Sequence, residues 1–267
     1  MTQDRTYPFT NALKAVLVAM LILLAEGTTI AQGTTTGVTV HGNVFGGGNN
    51  ADVKINTTVN LSYGIVEGNV YGGGNLGDVG TINKTDQTTY NYIWTTNTDN
   101  DTNNDTGICT VNITGGTVGA ENKSTENHAS GHVFGAGKGS GTDTYYCEKG
   151  MVYKTNVSIT KGTVYGNVYG GGEVGRVEND AVVEIGSAAE SDAPEVKGSV
   201  FGAGAGLETH GYSALVRNNT NVTVQGYAKV RNNIYGGGEI AAVGRYWVKL
   251  DPPMDGAPTP PDGTILG

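Results

Sequence analysis

This chain has little of what most chains use to hold a fold together. Its 267 residues include two cysteines, Cys109 and Cys147. One bridge at most excludes a disulfide scaffold. The pair either forms a single disulfide, clamping neighbouring segments of an exported protein, or stays as two buried thiols, and the sequence favours neither. Basic residues are scarce as well, with 16 Lys and Arg against 25 Asp and Glu and a formal charge of −9. Without Lys/Arg clusters, nucleic acid is excluded as a partner, and so is electrostatic adsorption to anionic lipid. Helical periodicity is also missing. Past Gln32 no apolar i, i+3, i+4, i+7 pattern is sustained, and no apolar run approaches the ~20 residues needed to cross a bilayer.

The first residues do contain an apolar run. Arg5 and Lys14 supply positive charge, Ala15 to Ala25 (AVLVAMLILLA) is apolar, and small and polar residues follow up to Ala31. That order is the signature of a secretory signal peptide, expected to be cleaved after Ala31 with Thr29 at the −3 position. The mature chain is then expected outside the cell or on its surface, with no integral membrane segment after cleavage. An uncleaved N-terminal anchor is the alternative.

Glycine is abundant, with 44 residues, and it is organised. The block Gly42-Asn43-Val44-Phe45-Gly46-Gly47-Gly48 returns at Gly68, Gly131, Gly166, Gly198 and Asn232, always as G/N-[NHS]-[VI]-[FY]-G-[GA]-G. Successive starts are separated by 26, 63, 35, 32 and 34 residues. The long interval holds a polar insertion near residues 85–106. A second element precedes most blocks: Cys109-Thr-Val111-Asn-Ile113, Asn156-Val157-Ser-Ile159 and Asn221-Val222-Thr-Val224 alternate apolar with polar residues. Alternation is the mark of a half-buried strand. In helix interiors, by contrast, each glycine would cost about 0.5–1 kcal/mol.

A unit this small cannot bury its own apolar face and must stack on its neighbours. The pattern therefore predicts an all-β fold, a parallel β-helix (β-solenoid) of about six glycine-rich repeats over residues 32–250. An antiparallel β-sandwich or barrel of repeated hairpins is the alternative. In the stacked arrangement Val44, Val70, Val133, Val168, Val200 and Ile234 form an internal ladder. Phe45, Tyr71, Phe134, Tyr169, Phe201 and Tyr235 form an aromatic stack, and Asn43, Asn69, Asn167 and Asn233 an amide ladder bonding repeat to repeat. Residues 251–267, with Pro252, Pro253, Pro258, Pro260 and Pro261, read as a linker or frayed end.

These blocks resemble the glycine-rich repeats of large bacterial surface proteins, such as autotransporter and polymorphic-membrane-protein adhesin passengers. The GNVYGGG form behind a signal ending Ala-Gln is most similar to repeat proteins of gut Bacteroidetes. The resemblance covers roughly residues 37–245 and implies repeat architecture and display at the cell surface or outer membrane. It implies an adhesin or binding module, with a structural subunit of an extracellular fibre or matrix as the alternative and a β-helix polysaccharide-active enzyme third. Expected partners are a host or matrix glycan or protein, or a second copy of the chain.

Few residues announce chemistry. Tyr90, Tyr92 and Trp94 in the insertion either form an aromatic binding surface or pack the loop onto the repeat beneath it. No cofactor is expected except calcium, for which Asp99, Asp101 and Asp105 place oxygens at every second position. The run departs from the EF-hand, with Asn104 in the glycine position and Thr110 in the terminal glutamate position. Asp52 and Asp78 each follow a glycine triplet by four residues, but later repeats place Arg176 and Ala242 there. His41, His128, His132 and His210 are scattered, no G-x-S-x-G elbow occurs, and no catalytic residue is expected. Glu173 and Glu239 directly follow glycine triplets and should share a face two repeats apart, too far for paired-carboxylate chemistry. Glu178, Asp180 and Glu184 read as a charged solvent face.

Overall fold

The computed structural model describes residues 37–84, 93–94, 106–120, 130–142 and 147–244, with the backbone alone at 83, 93 and 94. The chain divides into two compact units, Met1–Thr36 and Gly37–Gly267, and every described residue lies in the second. Among the described residues there is no α-helix, and none long and apolar enough to cross a membrane; one 3-10 turn stands at Glu190–Asp192. The rest of the regular structure is strand. A nine-stranded and a six-stranded sheet are both parallel, and neither closes into a barrel. A two-residue ribbon, Ile82–Asn83 with Ile93–Trp94, is antiparallel. The hairpin alternative is thus set aside, because each repeat strand pairs with its counterpart in the next repeat.

Four columns of β-branched residues result. In the first, the strands Thr57–Leu61, Ile108–Val118, Lys154–Val164, Ala181–Ser187 and Thr220–Gly226 pair in register, so Val59, Val111, Val157, Val183 and Val222 lie side by side. Their alternation delivers what it promised: Val111, Ile113, Ile159, Val183 and Ile185 are fully buried while Asn112, Ser158 and Glu184 between the apolar positions face outward. The second column runs Val40, Val66, Val118, Val164, Val196, Val230. The third is the expected ladder from Val44 to Ile234. The fourth was not anticipated and is made of single bridges, Val53 to Val79 and then Val152, Val177, Val216 and Val243, with the Val79 amide bonding the Met151 carbonyl between the two groups. Each buried valine contributes roughly 1.5–3 kcal/mol over its exposed state.

The first glycine of each triplet is there for space. A Cβ built on Gly170 would lie 2.2 Å from the Gly202 carbonyl oxygen, and the same contact recurs at Gly72, Gly135 and Gly202. None of these glycines has a positive φ; the neighbouring repeat simply comes too close for a side chain. At the start of the long strands, Thr57, Thr155 and Thr220 donate to the carbonyls of Gly72, Gly170 and Gly236, each at 2.6 Å. Cys109 occupies the same column between Thr57 and Thr155. It forms no disulfide with Cys147; both are buried, and Cys109 receives the Thr57 hydroxyl at 3.2 Å.

Candidate functional site

The third column carries the aromatic residues outside its valines. Parallel strands about 4.8 Å apart leave identical rings no choice but to stack face to face. Phe45, Tyr71, Phe134, Tyr169, Phe201 and Tyr235 do so with centroids 4.7, 4.9, 4.7, 5.0 and 4.9 Å apart, none tilted more than 12°. Phenylalanine and tyrosine alternate, so hydroxyls appear at every second level.

Beside the rings runs the column that includes the predicted asparagines, and its bonding differs from expectation. The amides do not bond one another. Instead, each side chain accepts from the backbone N–H of the next repeat: Asn43 Oδ1 from Asn69 (2.8 Å), Asn69 Oδ1 from His132 (2.9 Å), and Asn167 Oδ1 from Ser199 (2.8 Å). His132 Nδ1 accepts from Asn167 (2.9 Å) and Ser199 Oγ from Asn233 (3.3 Å), so histidine and serine fill the role at their levels. The backbone needs an acceptor there, not specifically an amide, which is why three residue types serve. The spare Nδ2 groups of Asn69 and Asn167 donate to the hydroxyls of Tyr71 and Tyr169 (3.1 and 2.8 Å).

Those hydroxyls are donors in turn. Tyr71 donates to Glu173 Oε2 and Tyr169 to Glu239 Oε2, so each glutamate reaches back two repeats, past a level where phenylalanine has no hydroxyl to intercept it. Burial first, and then the adjoining carboxylate, hold both phenols well above the usual tyrosine range, so they remain protonated donors. The sharing of a face by Glu173 and Glu239 is as expected; their anchoring to tyrosines was missed. The signal for it was present, since tyrosine follows asparagine by two residues at alternate levels and glutamate follows the triplet two levels higher.

Together these groups line an elongated groove of about 560 Å³. Its floor is aromatic, one wall is the Asn/His column, and Glu173, Glu239 and the ammonium of Lys138, one repeat before Glu173, furnish charge. A second cavity of about 350 Å³ lies near the fourth column around Asp52 and Asp78. There the aspartates perform the same backbone service: Asp52 Oδ1 accepts from the Asp78 amide (3.1 Å) and Asp78 Oδ1 from Met151 (2.9 Å). Lys54 and Lys84 neutralise them at 2.9 and 2.5 Å. Burial outweighs Lys84 and raises the Asp78 carboxyl above its ordinary value; Asp52 is also pulled upward by burial, but Lys54 and the Asp78 amide prevail and lower it. Among the described residues no three His, Cys, Asp or Glu side chains converge as a metal would require.

The other sequence candidates fall as follows. Asp99, Asp101, Asp105, Tyr90, Tyr92 and His128 lie outside the described residues, and Trp94 is placed only by its backbone pairing with Ile82. His41 meets Glu67 at 3.3 Å, and His210 is buried in a turn. Glu178 is a correction. It is not on a solvent face but buried between two arginines, with Arg176 at 2.7 Å and Arg217 at 3.1 Å and side-chain exposures of 0, 3 and 11% for Arg176, Glu178 and Arg217. A buried carboxylate requires such partners. Comparison with protein-family models, curated proteins and solved structures finds no match to this chain.

Proposed function

We propose that this chain is an exported bacterial surface protein whose parallel sheets wind as a β-helix, and that it acts as a binding module. The groove on the aromatic face is its recognition site. The observation that carries this reading is the row of polar groups held along an open, ring-floored groove by bonds to the backbone and to buried phenols. Groups fixed before the ligand arrives reduce the ordering cost of binding. Aromatic and polar surface repeating at the strand spacing suits an extended, hydroxyl-rich chain, so a host or matrix glycan is the proposed ligand. Each glutamate is committed to a tyrosine rather than to the other glutamate, which favours recognition over paired-carboxylate hydrolysis. The leader-like N-terminus and the resemblance of the GNVYGGG blocks to surface repeat proteins support display outside the cell. Calcium at Asp99, Asp101 and Asp105, and contacts from Tyr90, Tyr92 and Trp94, belong to the same proposal as accessory features of the insertion.

Glycan- and matrix-array binding of the full chain tests this, beside Lys138→Glu with Glu239→Gln and beside a deletion of residues 85–106. Loss of a signal in the groove variant with retention in the deletion supports the groove. Loss in the deletion alone moves the site to the insertion. A chain that is folded and silent across the array overturns the binding reading.

A further inference from the structure

Among the described residues the first and last repeats each present an uncovered face, and the two faces match each other. At the last repeat Ile234 and Tyr235 are 49% and 44% exposed and Val243 38%, although their counterparts Val200, Phe201 and Val216 are buried. At the first repeat Val40, Val44 and Phe45 are only partly buried. Among the described residues nothing covers these two faces, and uncovered sheet edges present backbone groups ready to pair.

The polarity of the backbone decides what fits. In the third column the backbone bonds run both ways, as in any parallel pair: Val44 donates to the Asn69 carbonyl and Gly46 to Tyr71, while the pairing of Val44 with Val70 and of Phe45 with Tyr71 sets the Tyr71 amide on the Val44 carbonyl. The outward edge of the last repeat thus offers the amides of Ile234 and Gly236, and the outward edge of the first offers the carbonyls of Asn43 and Phe45 at the matching positions, as Val200 and Gly202 meet Asn233 and Tyr235 inside the chain. The two edges therefore complement each other in the parallel register used between repeats inside the chain. The side chains agree. The aromatic column closes on Tyr235 and opens on Phe45, so a second copy continues the alternation, and Asn233 Oδ1 is positioned to accept from Asn43 as Asn43 accepts from Asn69 within the chain.

We infer that the chain assembles head to tail with further copies of itself, the first repeat of one docking on the last repeat of another in the register used between repeats inside the chain. The contact is heterologous and does not close on itself, so it generates a filament. It rests on the repeat stack and not on the groove, and array binding and assembly can fail independently.

Thr39 and Lys229 occupy the same exposed position of the second column, one at each end. The full chain carrying Thr39→Cys and Lys229→Cys is expected to give, on mild oxidation, a ladder of disulfide-linked multimers on denaturing gels. A mixture of the two single variants should stop at the dimer, and each single variant alone should match the wild-type background set by buried Cys109 and Cys147. Gly236→Ala provides the fold-preserving control. A Cβ there meets nothing within 4 Å in the chain itself but would strike the docked copy's Gly46 carbonyl, as one on Gly202 strikes Gly236. Added to the double-cysteine chain, it should abolish the ladder while leaving the circular dichroism spectrum unchanged. No dimer from the mixture, equal cross-linking by a single variant alone, or a ladder that survives Gly236→Ala would each overturn the inference.

Discussion

At the scale of single residues, a set of polar side chains serves the backbone of the next repeat. Asn43, Asn69, Asn167, His132, Ser199, Asp52 and Asp78 all hold an amide one level away. Three predictions belong here. Gly170→Ala forces a Cβ to within 2.2 Å of a backbone oxygen, whereas Gly236→Ala meets open space. The first should lower the unfolding free energy by more than ~2 kcal/mol and the second by under ~1 kcal/mol, measured by denaturant titration. Cys109→Thr places a hydroxyl where Thr57, Thr155 and Thr220 each bond a glycine carbonyl, and should stabilise by about 1 kcal/mol, read as a raised melting temperature. Burial also pushes the Cys109 thiol up to about 12, so it should resist thiol reagents in the folded chain. Asp78 supplies the third. Its folded carboxyl titrates above the unfolded one, so its stabilising effect is present at low pH and is lost as pH rises through the folded value. Asp78→Asn keeps the acceptor for Met151 and removes that titration. Its stability relative to wild type should therefore improve from about pH 3 to about pH 6, as followed by urea unfolding at each pH.

At the scale of elements, the columns explain what the sequence could and could not disclose. The valine ladder and the aromatic stack were legible because the same residue types recur at one position of a repeating block, and stacking turns recurrence into contact. The fourth column escaped because Val53, Val79, Val177 and Val243 follow their triplets by five residues but Val152 and Val216 by 15 and 12, and because its members make single bridges instead of strands. Glu178 was misread because an acid beside Arg176 looks like surface until Arg217, 39 residues on, is known to lie in the next repeat. The groove was half legible. Glu173 and Glu239 were placed on one face, but their tyrosine partners lie two repeats away, and only the phenylalanine between explains the reach. The insertion, where the calcium and aromatic candidates stand, follows no repeat, so stacking says nothing about it. A packing prediction belongs at this scale. Ile159 is fully buried in the central long strand, and Ile159→Ala should cost 2–5 kcal/mol, while Val224→Ala in the partly buried last strand should cost well under half of that, both by denaturant titration.

At the scale of the whole molecule, one geometry serves the fold, the groove and the ends. Copies of one backbone path at one spacing put rings on rings, acceptors beside amides, and complementary sheet edges at the two ends. Stability in such an array is a sum over neighbouring repeats, so damage in the middle should weaken both halves while damage at an end stays local. The central claim is the parallel in-register stack itself. Asn60, Asn112, Ser158, Glu184 and Thr223 form one outward-facing row across five neighbouring strands. Spin labels on Asn60 and Thr223 are therefore four strand spacings apart, about 19 Å. A pulsed electron-spin distance measurement on the full chain should give a narrow peak near that value, allowing for the label arms. A broad distribution, or a peak far beyond it, would contradict the stack and everything built on it.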